Sequence, residues 1–182
     1  MQNYTNSHYT PGFYFTKYGE MYILFYRGKV IITIGPHCNI YLGPILLAFN
    51  ILILSIHLVT FFALLSKFAF LKYLCSISFV FLQVSFIYCG LKDPGIMFPS
   101  MELELGTNKY CHKCGADNLG HHCTICDVCI EGHDHHCGFV GKCIGKGNIQ
   151  SFYSLLVGVF FSSMLFMITL AWRTWSLGRD NS

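Results

Sequence analysis

Seven cysteines fall between Cys111 and Cys143, six histidines are interleaved with them, and the run lies between hydrophobic stretches of membrane length. The block holds too few aliphatic residues to fold around a core of its own, so cross-links must hold it. Its spacing is Cys111-x2-Cys114-x8-Cys123-x2-Cys126-x2-Cys129-x7-Cys137-x5-Cys143. C-x-x-C pairs mixed with histidine are metal-ligand spacing and not a secreted disulfide framework. The N-terminus agrees: residues 1–41 are polar and aromatic, with no short apolar core ahead of a cleavage site.

The flanking sequence predicts an α-helical polytopic membrane protein with three spans. Only 12% of residues are charged and 53% are hydrophobic, against about 25% charged in a soluble domain. Residues 42–65 form the first predicted transmembrane helix, 68–90 the second and 152–172 the third, each long enough for the bilayer core at about 1.5 Å per residue. Lys72 snorkels from the second, and Trp172, Arg173 and Trp175 anchor the third. The remaining segments are an N-terminal cytosolic or interfacial region (1–41), a cysteine-rich domain (91–151) and a short tail (173–182). In the first, Tyr22–Tyr26 and Val30–Ile34 read as two strands around Arg27-Gly28-Lys29, an interfacial hairpin with aromatics at headgroup level. Lys17, Arg27 and Lys29 before span one, with Lys92, Lys109, Lys113, Lys142 and Lys146 in the central block, place both in the cytosol by the positive-inside rule, with Lys67 and Lys72 opposing. The net charge of +3 is too small and scattered for nucleic-acid binding.

Structural zinc takes four tetrahedral thiolate and imidazole ligands. Two Cys3His sites consume six cysteines and leave one over. The pairs Cys111/Cys114 and Cys123/Cys126 each anchor a site, while Cys129, Cys137 and Cys143 compete for the remaining places. Chemistry singles out Cys137, which follows Asp134-His135-His136. A neutral imidazole can take the thiol proton, a carboxylate can fix its tautomer, and nearby zinc favours thiolate.

The block from Cys111 to Phe152 resembles the cysteine-rich domain of the DHHC protein S-acyltransferases, or palmitoyltransferases. The resemblance rests on the two C-x-x-C pairs, His122-Cys123, Cys129, Asp134-His135-His136-Cys137, Cys143-Ile144-Gly145, Asn148 and Phe152. Asp93-Pro94-Gly95 is similar to the family's motif after span two, and Gly28 and Gly35-Pro36 resemble one subgroup's approach to span one. The fold so implied has a small irregular, β-hairpin two-zinc domain between spans two and three. Cys111, Cys114, His122 and Cys129 would hold one structural Zn2+, and Cys123, Cys126, His136 and Cys143 the other. Cys137 would take a fatty acyl group from acyl-CoA as a thioester and pass it to a protein cysteine, with His135 as base and Asp134 orienting it. Implied partners are the bilayer, acyl-CoA, protein substrates with juxtamembrane cysteines and an accessory subunit, and no nucleic acid. The implied location is the Golgi, ER or plasma membrane, with the zinc domain facing the cytosol.

The sequence departs from the family pattern at named places. Gly138-Phe139 stands for the usual Pro-Trp, Lys142 for the usual asparagine, and the stretch from Gly115 to His122 is short. Three spans stand where four are usual, without a Thr-Thr-x-Glu motif, which reads as truncation after the third span. These departures carry the alternative expectation of a catalytically inactive, zinc-stabilised membrane subunit or scaffold.

Overall fold

The computed structural model describes residues 13–26, 29–36, 69–99, 111–116 and 120–180, with Leu52, Ser55 and Leu58 as separate helical positions. Span one, residues 42–65, otherwise lies outside the described residues, as do the Arg27-Gly28 turn and the tail beyond Asp180. The chain divides into two units: residues 1–39 with 90–149, and residues 40–89 with 150–182.

The first unit opens with an antiparallel meander of β1 (Phe13–Tyr18), β2 (Met21–Tyr26) and β3 (Lys29–Ile34). Sequence reading gives two strands here; the third, β1, forms because the aromatic, β-prone run at Phe13 faces β2 across a tight turn. Gly19 is the first central residue of that two-residue turn and takes φ 56°, a conformation glycine adopts without strain. Side chains alternate along β2: Met21, Ile23 and Phe25 are buried, while Tyr22 is exposed. On the outer face Phe13 stacks on Tyr26 and Phe15 on Tyr22, with ring centroids 4.6 and 5.7 Å apart.

A second sheet has the order β4-β6-β5, from β4 (Ile96–Met97), β5 (Gly120–Cys123) and β6 (Val128–Glu131). A two-stranded ladder pairs β7 (His135–Cys137) with β8 (Lys142–Ile144). Tyr18, Met21, Ile23 and Phe25 pack with Ile96, Val128 and Ile130 and with three thiols, Cys123, Cys126 and Cys143. The cysteine-rich block therefore obtains its core from the N-terminal sheet. The Glu20 amide also donates to the Cys126 carbonyl at 2.8 Å.

Asp93-Pro94-Gly95 makes a corner. Asp93 Oδ1 accepts from the amides of Gly95 (3.0 Å) and Ile96 (3.1 Å), and Gly95 takes φ 100°, where a side chain would strain the turn. The Gly147 amide donates back to the Pro94 carbonyl at 3.1 Å.

The second unit contains most of α1 (Ala69–Leu91) and of α2 (Ile149–Asp180). Both are long and apolar enough to cross a bilayer. Helix α2 continues past 172 to Asp180, so most of the expected tail is helical. Outward residues such as Phe70, Val84, Phe160 and Met167 are exposed and apolar. Gly158 lies against Leu82, where an added Cβ would meet the Leu82 Cα at 3.3 Å, and the Ser162 hydroxyl donates to the Ser78 carbonyl at 3.3 Å. Small residues at a close helix contact with an interhelical hydrogen bond suit packing in lipid. Apolar helices and a cysteine-rich unit together fit a membrane protein.

Candidate functional site

Two four-residue clusters form in the first unit. One contains Cys111, Cys114, His122 and Cys129; the other contains Cys123, Cys126, His136 and Cys143; within each, the donor atoms lie within 4.8 Å of one another. Adjacent residues on β5, His122 and Cys123, go to different clusters because successive strand side chains point to opposite faces.

The distances fit a tetrahedral ion. Bonds of about 2.3 Å to each sulfur set sulfurs roughly 3.7 Å apart. Cys114 and Cys129 Sγ are 3.4 Å apart, as are Cys126 and Cys143 Sγ, well beyond the ~2.05 Å of a disulfide. His136 Nδ1 lies 3.5, 3.3 and 3.6 Å from the sulfurs of Cys123, Cys126 and Cys143. His122 Nδ1 lies 3.5 Å from Cys111 Sγ and 3.9 Å from Cys129 Sγ. Each cluster could hold a metal ion.

Crowding splits the acidities of the thiols. The Cys143 thiol, hydrogen-bonded to Cys126, holds Cys126 below the usual range despite burial. Cys143 itself is pushed far up, first by that hydrogen bond with Cys126 and then by burial. Burial and then the neighbouring thiols Cys114 and Cys111 do the same to Cys129. A cation in each cluster that takes its three sulfurs as thiolates removes this competition.

One supporting residue escapes a reading of motifs. Asp127 Oδ1 lies 3.3 Å from His122 Nε2, close to that nitrogen but without hydrogen-bond geometry. A carboxylate behind a ligating imidazole orients the ring. Asp127 also sits at φ 54° in the knuckle after Cys126, a conformation that Asp, Asn and Gly tolerate best. That preference within C-x-x-C-x-x-C is the sequence signal for it.

The β7–β8 ladder places the remaining residues. Its rungs are His135 opposite Ile144, His136 opposite Cys143 and Cys137 opposite Lys142. The middle rung supplies two donors to the second cluster, so the outer rungs, with His135, Cys137 and Lys142, belong to the other face. Asp134 Oδ2 accepts from His135 Nδ1 at 3.1 Å when that nitrogen carries the proton. Cys137 is buried and belongs to neither cluster. Burial first, then His121 and His135, hold the neighbouring His133 imidazole below its usual value.

Lys142, which sequence reading counts among the positive charges of the central block, is wholly buried. Its ammonium donates to Thr33 Oγ1 (2.7 Å), the Thr33 carbonyl (3.1 Å) and the Lys92 carbonyl (2.7 Å). Asn148 is also buried: Oδ1 accepts from the Gly145 amide at 2.9 Å, and Nδ2 donates to the Cys143 carbonyl at 3.1 Å. It closes the loop ahead of α2.

The cysteine-rich segment matches known proteins. Residues 104–181 match the family model DHHC palmitoyltransferase. Palmitoyltransferase ZDHHC18-A of Danio rerio is 43% identical over 61 residues, which is 32% of this chain and 13% of the relative. Palmitoyltransferase ERF2 of Kluyveromyces lactis is 37% identical over 67 residues, 36% of this chain and 19% of the relative. Palmitoyltransferase ZDHHC9 of Homo sapiens is 43% identical over 53 residues, 28% of this chain and 15% of the relative. The chain thus matches less than a fifth of the length of each of these relatives. The segment that holds both clusters and Cys137 is thus similar to the DHHC palmitoyltransferases.

Proposed function

We propose that the chain is a protein-cysteine S-acyltransferase whose nucleophile is Cys137. The observation that carries the reading is the ligand count: of the seven cysteines from Cys111 to Cys143, six belong to the two clusters and Cys137 does not. His135 and Cys137 share a face of β7, and Asp134 contacts His135 Nδ1, leaving Nε2 as the basic nitrogen.

The reaction has two transfers. The Cys137 thiol gives its proton to His135, and its sulfur attacks the thioester carbonyl of a fatty acyl-CoA. The carbon–sulfur bond to CoA breaks, and CoA leaves as a thiolate that takes up the proton. A thiolate of a substrate protein then attacks the Cys137 thioester, and the acyl group moves to it with Cys137 released. Splitting one transfer into two suits a thiol nucleophile with an adjacent base. The two clusters hold structural Zn2+ in this reading, through Cys111, Cys114, His122 and Cys129 and through Cys123, Cys126, His136 and Cys143; the bound ions supply the fold and a positive field. The protein is integral to an endomembrane or the plasma membrane through three spans, with the zinc domain in the cytosol. Its substrates are proteins with cysteines close to that membrane, and an accessory subunit joins it there.

The test is acyl labelling. A hydroxylamine-sensitive label on the parent that is lost in Cys137→Ser, with two zinc ions retained, supports the reading. A label that survives the substitution removes Cys137 as nucleophile. Gly138-Phe139, in place of Pro-Trp, favours a second reading, an inactive zinc-stabilised scaffold. Its mark is two bound zinc ions with no label even beside partner proteins.

A further inference from the structure

A lysine with no exposed surface needs a reason, because a buried ammonium is costly unless its donors are satisfied. Lys142 has three N–H donors and meets three oxygens: Thr33 Oγ1, the Thr33 carbonyl and the Lys92 carbonyl. Leu91 closes α1, and Lys92 follows it. Carbonyls at a helix C-terminus have no partner within the helix and carry the negative end of its dipole. They are therefore suitable acceptors for a cation. Thr33 completes the arrangement: its hydroxyl lies 3.3 Å from the Lys92 carbonyl and 3.5 Å from that of Leu91, to which it can donate.

Lys142 is also the rung partner of Cys137. Directly opposed residues share a face of the ladder, with Cβ atoms about 5 Å apart. A second contact joins the same two regions. A Cβ at Gly35, just beyond β3, would collide with the Gly141 carbonyl and the Lys142 Cβ. Gly141 ends the turn after Cys137 and donates its amide to the Cys137 carbonyl at 2.8 Å. The end of β3 therefore abuts both the turn that follows Cys137 and the residue opposite it.

We infer that Lys142 is a positioning residue: with Thr33 and the close approach of Gly35, it fixes the β7–β8 ladder to the N-terminal sheet and to the Asp-Pro-Gly corner, and so sets the presentation of the Cys137 thiol. The kinetic consequence rests on the acyltransferase reading; the geometric one does not. The inference also accounts for a departure from the family pattern. An asparagine at 142, with one methylene in its side chain, does not reach the oxygens that a four-carbon stem reaches. The family's usual residue is therefore not a neutral replacement in this chain.

The experiment uses the full chain, zinc-loaded in lipid nanodiscs, as parent, Lys142→Met, Lys142→Asn and Thr33→Val. Zinc content is measured first, then the rate of Cys137 alkylation by iodoacetamide from peptide masses, then acylation by palmitoyl-CoA with kcat and KM separated. Expected for all three variants are two retained zinc ions, Cys137 alkylation altered at least about threefold, and kcat lowered about tenfold with KM held within about twofold. Parent-like alkylation and acylation in all three variants overturns the inference. Should the lysine variants release metal, Thr33→Val decides by the same criteria, since it removes one acceptor and keeps the charge. If the parent takes no acyl group, the acyltransferase reading fails, and the alkylation rates alone decide the role of Lys142.

Discussion

Removing one ligand from each cluster should have unequal consequences. Cys143 has no exposed surface, and with Cys123 and Cys126 it supplies three of the ten buried residues in the core of the first unit. Cys111 and Cys114 are half-buried and lie outside that core; a tight turn, with the Gly115 amide donating to the Cys111 carbonyl at 2.8 Å, brings them to the first cluster. Structural zinc contributes about 10–16 kcal/mol of apparent binding energy that is also folding energy. The whole stability of a domain is about 5–15 kcal/mol. Loss of the second ion therefore exceeds what the core can absorb, and Cys143→Ser should abolish both sites. Cys111→Ser should release the 111–116 segment and its ion while the second cluster holds. The assay is zinc per chain by atomic emission, with native intact mass: one ion for Cys111→Ser and none for Cys143→Ser. Two lost ions in Cys111→Ser, or one kept in Cys143→Ser, would refute the placement of the second cluster in the core.

Three further substitutions test individual contacts. Asp127→Gly keeps the left-handed knuckle but removes the carboxylate 3.3 Å from His122 Nε2; zinc affinity at the first cluster should fall about tenfold, read by chelator competition, with the second unchanged. Asn148→Ala leaves the Gly145 amide and the Cys143 carbonyl without their partner and should cost about 2–4 kcal/mol, read as a lower midpoint in thermal unfolding of the zinc-loaded chain. Gly158→Val drives a side chain into Leu82 and should cost about 1–3 kcal/mol of helix packing, seen as a lower melting temperature in detergent with zinc content unchanged.

What the sequence made legible was what spacing and periodicity encode. Apolar length marked α1 and α2, β-prone runs around Arg27-Gly28-Lys29 marked β2 and β3, and C-x-x-C spacing marked two metal sites and one surplus cysteine without saying which cysteine it is. The contacts that cross the chain left no such trace. Lys142 reads only as one more charge of the central block, because nothing local shows that Thr33 and Lys92 carry oxygens to meet its ammonium. Read locally, the cysteine-rich block lacks a core, because its apolar partners, Met21, Ile23 and Phe25, lie far away in sequence on the N-terminal sheet. Strand β1 passes unnoticed because its outer face is aromatic and exposed, without the polar alternation of a half-buried strand.

The central claim is that Cys137 accepts an acyl group, and intact-protein mass tests it most directly. The purified, zinc-loaded chain is incubated with palmitoyl-CoA beside Cys137→Ser. The account requires a gain of one palmitoyl thioester in the parent and none in the variant. No gain in the parent, with two zinc ions still bound, would contradict it and leave a zinc-stabilised membrane protein that acts through its partners.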